Sequence, residues 1–380
     1  MRRKLNHLTL DQWINGDNAK ALGIDRSVSK PLKSHPEKKQ NSSDDECHHH
    51  HKSQKKTYPQ QWTAYNQAQT QEKILFLELL FELCQQIPKP KRKGPGRPPA
   101  DFGEMVFACC LKTYLDFSSR RSGSDMQIAQ HLGYLETVPH FNTILKYLRK
   151  QKLSTKLKKL IEISSIPLKE VEEDFTVDAS GFSTVMYGQW LKQRGKSSGY
   201  KKFKKAHVMS GVKTNIITHI EVTDGYVHDS RMFELLVRST AEHFLMKQVS
   251  ADKAYSSQKN VQLIASIGAI PFIPFKKNVR ANTRDSLFIW REMHRFFKEH
   301  KEEFLKEYHK RSNAESVFSM MKRKFGDRVR AKDTIAQENE VLCKALCHNI
   351  CVLIQEMFEL GVTVDFSEIV DDEFMCKFDM

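Results

Sequence analysis

Cysteine pairs, long apolar runs and a signal-peptide core are all missing from the 380-residue sequence. Its eight cysteines form no Cys-x2-Cys pair, so neither a zinc knuckle nor a disulfide framework is expected. No run approaches the roughly 20 apolar residues of a membrane span. The first residues, "MRRKLNHLTLDQW", lack the apolar core of a signal peptide. We therefore expect a cytoplasmic protein with no membrane partner.

Acidic residues are fewer than basic ones. The chain has 61 Lys and Arg against 46 Asp and Glu, a formal net charge of +15. Because Lys and Arg contacts with phosphates release counterions, a surplus of this size favours a nucleic acid as partner. The alternative is a protein that is simply basic.

Three cysteines recur at a spacing of four residues. Cys343, Cys347 and Cys351 would share one face of a helix, with His348 close by. These residue types could hold a metal, but small residues buried at a close helix contact explain the same pattern. We favour the packing interpretation.

The chain changes character several times. Residues 1–60 are rich in Ser, Lys, His and acid and poor in aliphatic side chains, which predicts a largely disordered segment. Residues 61–150 are predicted to form a helical DNA-binding region with a basic Pro/Gly linker at 88–100. The Gly96-Arg97-Pro98 core of that linker resembles an AT-hook, which would put Arg97 in a minor groove, although Pro95 stands where a full hook has arginine. A stiff interdomain linker is the alternative.

Helical periodicity continues through residues 101–150, with Ser124 and Pro139 as candidate helix entrances. The last of these helices carries Lys146, Arg149 and Lys150. Helix–turn–helix spacing fits, though short helical domains of other purposes look similar.

From Phe175 the hydrophobic period changes to that of strands, in the order three strands, helix, strand, helix, strand. This predicts a mixed α/β sheet within a domain at 171–361. Residues 277–306 would form a helical insertion, residues 334–360 a final apolar helix and residues 362–380 an acidic tail.

Two aspartates follow apolar runs within this region. Asp178 ends the run Phe175–Val177, and Asp252 ends "QVSAD". A carboxylate at the end of a strand in an open α/β sheet points into the crevice where ligands bind, although most such residues only cap turns.

A third carboxylate lies in "YHKRSNAESVFSMMKRK", residues 308–324. Tyr308, Arg311, Glu315 and Lys322 would share one stripe of a single helix, because their offsets fall within an arc of about 60°. A solvated face with an Arg311–Glu315 ion pair is the plain alternative. Three converging carboxylates would need cations between them, and two Mg²⁺ ions about 3.5–4 Å apart would suit phosphodiester chemistry.

A basic loop separates the first two acids. Residues 187–207 contain seven Lys or Arg, no acid and several aromatics, as a DNA-guiding flap would. Its candidate contacts include Lys201, Lys202, Lys204 and Lys205. A basic loop without function is the alternative.

These motifs together resemble the insertion-sequence transposases of the DDE class, in the IS-four and IS-five-like superfamily. The Tyr-x2-Arg-x3-Glu-x6-Lys signature of that group is matched at every position, and "TVDASG", "SADKAYSS" and "DGYVHDS" resemble its other motifs. The similarity extends from about residue 62 to residue 361. Residues 1–60 depart from the pattern in length and composition, so this chain could bind its element ends differently.

The resemblance implies an RNase H-like core and cut-and-paste transposition. Asp178, Asp252 and Glu315 would hold two Mg²⁺ ions, which Mn²⁺ could replace. Tyr308, Arg311 and Lys322 would grip phosphates near the cleaved end. The partners would be double-stranded DNA, as terminal inverted repeats and target, and a second copy of the chain in the synaptic complex, beside the nucleoid of a prokaryotic cell.

The resemblance also singles out Trp290, because related enzymes stack a flipped base in an insertion at this place. We favour instead that Trp290 packs its helix onto the core. Two other functions stay open: a non-catalytic DNA-binding remnant of a transposase, and an RNase H-like structure-specific nuclease.

Overall fold

The computed structural model describes residues 61–89, 100–185, 203–277, 279 and 286–369. The predictions for residues 1–60, for Arg97 in the linker, for Lys201 and Lys202 in the basic loop and for the end of the acidic tail lie outside the described residues. Those predictions stay as they are, and so do the domain boundaries.

A five-stranded mixed sheet is the centre of the described part of the chain, in the order β3-β2-β1-β4-β5. The neighbours β3, β2 and β1 are antiparallel, whereas β4 and β5 run parallel to β1. The strand order along the chain is the predicted one, which confirms a mixed α/β architecture. The strands are β1 (Asp174–Ser183), β2 (Phe203–Gly211), β3 (Ile217–Asp224), β4 (Gln248–Ala251) and β5 (Ile270–Phe272).

Helices precede the sheet. The Asp101 side chain caps α2 by accepting hydrogen bonds from the N–H groups of Gly103 and Glu104. The predicted entrances are displaced slightly, since α3 begins at Gly123 and His140 is the N-cap of α4. These helices are α1 (Trp62–Gln85), α2 (Phe102–Tyr114), α3 (Gly123–His131), α4 (Phe141–Leu148) and α5 (Gln151–Ser165).

The remaining helices connect or follow the strands. Short 3₁₀ turns lie at Asp229–Arg231, Lys253–Tyr255 and His309–Arg311. The helices are α6 (Phe233–Ala241), α7 (Gln258–Ser266), α8 (Phe288–Glu299), α9 (Lys301–Tyr308), α10 (Ser312–Phe325), α11 (Thr334–Glu359) and α12 (Phe366–Ile369).

Helix α11 corrects one expectation. It is long and apolar enough to span a membrane by length and composition, with a mean hydropathy of 1.4 in its most apolar window. However, 78% of that window is buried, because α11 packs against α1, α2, α5 and β3. It is therefore the central helix of the core.

Two apolar clusters cover the two faces of the sheet. Phe175 and Val177 belong to the smaller cluster, with α6 and α7. Phe182 and Val208 belong to the larger one, with α10, α11 and the N-terminal helices. Because side chains alternate along a strand and Asp178 lies opposite Val208, the Asp178 side chain is on the face that α10 covers.

The cysteines of α11 serve packing, as predicted. Cys343 and Cys347 are fully buried, and the Cys347 thiol lies 3.5 Å from the carbonyl oxygen of Cys110 on α2. His348 Nε2 is 2.9 Å from the carbonyl oxygen of Asn215, and burial lowers the pKa of His348 to about 4.

Candidate active site

Both predicted aspartates lie at one edge of the sheet, but in different ways. Asp252 directly follows β4, and its carboxylate accepts a 2.6 Å hydrogen bond from the N–H of Lys253. Asp178 is inside β1 rather than at its end, so that expectation was wrong. The parallel pairing of β1 with β4 stops at Val177 and Ala251, one residue before each aspartate, while β1 continues against β2. The two aspartates therefore occupy equivalent positions on adjacent strands.

The signature segment is not one helix, contrary to the prediction. Helix α9 ends at Tyr308, a 3₁₀ turn covers His309–Arg311, and α10 begins at Ser312. A 3₁₀ turn has three residues per turn, so the side chains that follow it are displaced around the axis from where a continuous α-helix would place them. In this turn Lys310 reaches the sheet and pairs with Asp174 of β1 at 2.9 Å.

Arg311 connects the signature to the first aspartate. Its Nη1 lies 3.6 Å from Asp178 Oδ1, and its Nη2 lies 3.0 Å from Glu315 Oε1. The guanidinium carbon is also 5.7 Å from the ring centroid of Tyr308. The Arg311–Glu315 ion pair that the solvated-face interpretation predicts is therefore present, but the helix face that carries it is not fully solvated. The Arg311 side chain is only 17% exposed, against 66% for Glu315.

Lys322 faces the same strand. Its Nζ donates a 2.6 Å hydrogen bond to Ser180 Oγ and lies 5.3 Å from the ring centroid of Phe182. Ser180 is two residues from Asp178, hence on the same face of β1. Burial lowers the pKa of Lys322. Sequence reasoning missed Ser180, whose only signal was its place in "TVDASG".

The three carboxylates share one electrostatic environment. Burial raises the pKa of Asp178, and the negative charges of Glu315 and Asp252 raise it further, while the Ala179 N–H and Arg311 oppose the shift. The pKa of Tyr308 is also raised, chiefly by burial, with Asp252 and Asp178 contributing. Arg311 keeps a raised pKa although burial opposes its charge, because Tyr308 and Asp178 stabilise it.

These residues fit a hard divalent cation by the chemistry of their donors. Asp178, Asp252 and Glu315 all supply oxygen, the donor that Mg²⁺ prefers, and a cation would relieve the repulsion that raises the pKa of Asp178. Within the described ranges, no group of three or more His, Cys, Asp or Glu side chains has the arrangement to hold a metal ion. In this conformation the Arg311 guanidinium lies between Asp178 and Glu315 and supplies part of the positive charge.

A buried polar cluster adjoins this edge and was not predicted. Asp229, in "DGYVHDS", pairs with Lys205 and lies 3.4 Å from His207 Nδ1. The Tyr255 hydroxyl is buried and has no hydrogen-bond partner among the described residues. Burial raises the pKa of Tyr255, and the charges of Asp229, Asp178 and Asp252 add to the effect. The sequence gave no local signal for this cluster, because His207 lies inside β2 whereas Asp229 and Tyr255 lie in two separate 3₁₀ turns.

The described end of the basic loop differs from expectation. Lys204 and Lys205 lie in β2 rather than in a loop. The Lys204 ammonium is 2.7 Å from Asp224 Oδ1, and the Lys205 ammonium pairs with Asp229. Both cations are already neutralised by acids from beyond the loop.

Trp290 packs its helix onto the core in this conformation, which is the interpretation that we favoured. Its side chain is 5% exposed, and its indole lies edge-on to Phe275 with 4.6 Å between ring centroids. The ring is therefore part of the contact between α8 and the segment after β5.

Two comparisons with known proteins identify relatives of this chain. Residues 170–350, which contain both aspartates and the whole signature, match the model of the transposase DDE domain. The chain is also similar to a probable transposase for insertion sequence element ISA1214 of Archaeoglobus fulgidus. The two are 25% identical over 264 residues, which cover 68% of this chain and 77% of the relative.

Proposed function

Since the chain belongs to the insertion-sequence transposases with a DDE domain, we propose that it binds the terminal inverted repeats of its own element and catalyses strand cleavage and strand transfer. The mixed sheet is compatible with an RNase H-like core. The observation that carries the proposal is the convergence of Asp178, Asp252 and the signature residues on one sheet edge, with Arg311 in contact with both Asp178 and Glu315.

Asp178, Asp252 and Glu315 would hold the divalent cations, two Mg²⁺ ions or Mn²⁺ in their place. Such ions, when bound, activate a water or a DNA 3′-hydroxyl and stabilise the leaving oxygen. With Asp178 and Glu315 holding cations, the Arg311 guanidinium would be available for a phosphate of the DNA. Tyr308 and Lys322, on the same side of β1, would hold neighbouring phosphates in place.

The remaining partners follow from this activity. The helices of residues 101–150 would contact the terminal repeat, and the basic residues between 187 and 202, which include Lys201 and Lys202, would contact DNA beside the cleavage site. A homodimer would pair the two ends of the element before strand transfer into target DNA. Such a protein would work in the prokaryotic cytoplasm, at the nucleoid.

The experiment is a cleavage assay on labelled terminal-repeat DNA, with the repeat taken from the DNA that flanks the gene. Glu315→Gln keeps the size of the side chain but removes its negative charge. We expect at least a hundredfold loss of Mg²⁺-dependent cleavage, about 2.7 kcal/mol, with DNA binding retained. Glu303→Gln is the matched control, because Glu303 is an exposed acid on the preceding helix. It should cleave normally.

The same assay separates the alternatives. Wild-type cleavage followed by joining of the 3′ end to target DNA would support a transposase. Cleavage of branched DNA without regard to the repeat would indicate a structure-specific nuclease, and binding without cleavage would indicate a regulatory remnant. A Glu315→Gln variant that cleaves like the wild type would refute the carboxylate site.

A further inference from the structure

A cavity of about 340 Å³ has none of the three carboxylates in its lining. We call it the Phe141 pocket. Helix α4 forms one side of it, and the segment after α10 forms another. Its lining includes Lys112, Ser119, Arg120, Phe141, Leu145 and Arg330. The volume is within the range of small-ligand sites, about 300–1,000 Å³.

The Phe141 pocket is lined in part by a lysine that is almost fully buried as a residue. Lys112 on α2 is 5% exposed, and in the described part of the chain its Nζ has no hydrogen-bond or ion-pair partner. A buried charge without a partner is costly. Lys344 shows how the fold treats a comparable lysine, since its Nζ donates to the carbonyl oxygens of Gly326 and Arg328 at 2.8 and 2.6 Å. Lys112 therefore indicates an anion that is supplied from outside.

The acid that lines the Phe141 pocket is already engaged. Glu340 accepts hydrogen bonds of 2.9 and 3.1 Å from the N–H of Arg330 and one of 2.9 Å from the N–H of Ala331. Arg330 in turn pairs with Asp116 at 3.0 Å. Lys112 and Arg120 are thus the two cations of the pocket that an incoming anion can use.

The Phe141 ring lines the same pocket. The guanidinium carbon of Arg120 lies 4.9 Å from the ring centroid of Phe141, and Leu145 extends the apolar wall beside it. Asn142, at the mouth, supplies an amide. A nucleobase needs such a surface for stacking, and each stacked base contributes about 1–3 kcal/mol in other proteins. An apolar wall with two cations at its end matches a base that carries a phosphate.

We propose that the Phe141 pocket binds one nucleotide of the DNA substrate, unstacked from its neighbours, with the base against Phe141 and Leu145 and a phosphate at Lys112 and Arg120. The proposal rests on the proposed function, because that function supplies the DNA. A free nucleotide has the same chemistry, so the experiment must distinguish the two sources.

The test uses the full chain and terminal-repeat DNA. Phe141→Ala should weaken DNA binding about 5- to 150-fold. Lys112→Met should weaken it about tenfold and lower the salt slope by about one.

The melting temperature should be equal or higher in Lys112→Met, since an unpaired buried charge is removed. A residue with only a structural role would show the opposite. Lys169→Met, the same substitution at an exposed lysine outside the proposed DNA contacts, is the matched control and should change affinity less than threefold.

Two further arms complete the test. Permanganate oxidises thymines that are unstacked from their neighbours. In the wild-type complex one thymine of the terminal repeat should become reactive to it, and Phe141→Ala should lose that reactivity. If Phe141→Ala does not fold, the exposed Arg120→Ala takes its place. Titration with deoxyadenosine and thymidine monophosphates addresses the free nucleotide. Binding of these probes that needs Phe141, with unchanged DNA affinity of the variants, would overturn the proposal in favour of a free nucleotide.

The experiments distinguish failure of the pocket proposal from failure of the proposed function. If the wild type binds and cleaves the repeat while Lys112→Met and Phe141→Ala match Lys169→Met, only the pocket proposal is wrong. If the wild type binds no DNA, both proposals are wrong.

Discussion

Helix α11 and the carboxylate edge of the sheet both place polar groups inside the protein, but they treat them differently. On α11, Asn349 is fully buried and its amide is hydrogen-bonded to groups within the fold. Its Oδ1 accepts from the N–H of Ile217 at 2.9 Å, and its Nδ2 lies 2.7 Å from the carbonyl oxygen of Ile217 and 2.9 Å from Ser164 Oγ. Lys344 and Glu340 are satisfied by backbone groups in the same way.

At the carboxylate edge the polar groups remain incompletely matched. Burial and two neighbouring acids raise the pKa of Asp178, with one guanidinium in partial compensation. The Tyr255 hydroxyl has no hydrogen-bond partner in the described part of the chain. Asn349, Lys344 and Glu340 are thus paired by the fold, whereas the groups at the carboxylate edge have incomplete pairing that the proposed cation and phosphate would complete. This difference can be tested by substitution on either side.

The largest effect is expected for Asp178→Asn. Loss of one cation ligand should reduce cleavage about a thousandfold or more, roughly 4 kcal/mol. In EDTA the same variant should melt at a higher temperature than the wild type. Because the folded-state pKa of Asp178 is raised, its ionisation costs stability as pH rises through that pKa, and the amide removes this cost at neutral pH.

The measurement is thermal unfolding in EDTA beside the cleavage assay. Asp174→Asn is the control on the same strand, where an ion pair with Lys310 is lost. It should cleave the DNA and lose at most about 1 kcal/mol of stability. A lower melting temperature for Asp178→Asn would mean that its contact with Arg311 serves the fold, as the polar groups of α11 do.

The opposite result is expected for Asn349→Ala. Cleavage per folded molecule should be unchanged, but the backbone groups of Ile217 lose their partner at the start of β3. An unsatisfied buried group costs about 1–3 kcal/mol, so we expect the free energy of unfolding to fall by about 3 kcal/mol. Urea denaturation measures it. Gln355→Ala, which removes an amide hydrogen bond to the Glu359 carboxylate, should lose less than about 1 kcal/mol.

The sequence predicted what hydrophobic period and motif spacing determine. The strand order, the core role of the α11 cysteines and the position of Asp252 after a strand follow from local pattern. Asp178 was misplaced because β1 continues through the polar residues "DASGFS", which pair with β2 after the pairing with β4 has stopped. The signature helix was drawn too long because spacing alone cannot reveal that Lys310 and Arg311 turn toward β1.

Long-range partners explain the other misses. Lys204 and Lys205 were placed in an open basic loop because a charge run does not show the acids that oppose it from β3 and the following turn. The cluster of Asp229, His207 and Tyr255 gave no local signal, since it forms only when β2 and two 3₁₀ turns meet. The same limit applies to Lys112, which the helical period assigns to α2 without indicating that its ammonium group would lack a partner.

The smallest effect is expected for His348, whose protonation makes the free energy of unfolding depend on pH. Its pKa is lowered to about 4 by burial in α11, below the ordinary value of 6.5. Between these values the unfolded chain binds the proton and the folded chain does not, so the stability from this residue is complete above pH 6.5 and is lost as pH falls toward 4. From pH 7 to pH 5 the loss should be about 2 kcal/mol.

In His348→Gln, whose amide can still donate to the carbonyl oxygen of Asn215, this part of the pH dependence should disappear. Urea denaturation of both proteins at pH 7, 6 and 5 gives the difference in slope. Equal slopes would mean that the folded protein accepts a proton at His348, and that α11 tolerates an unmatched charge as the carboxylate edge does.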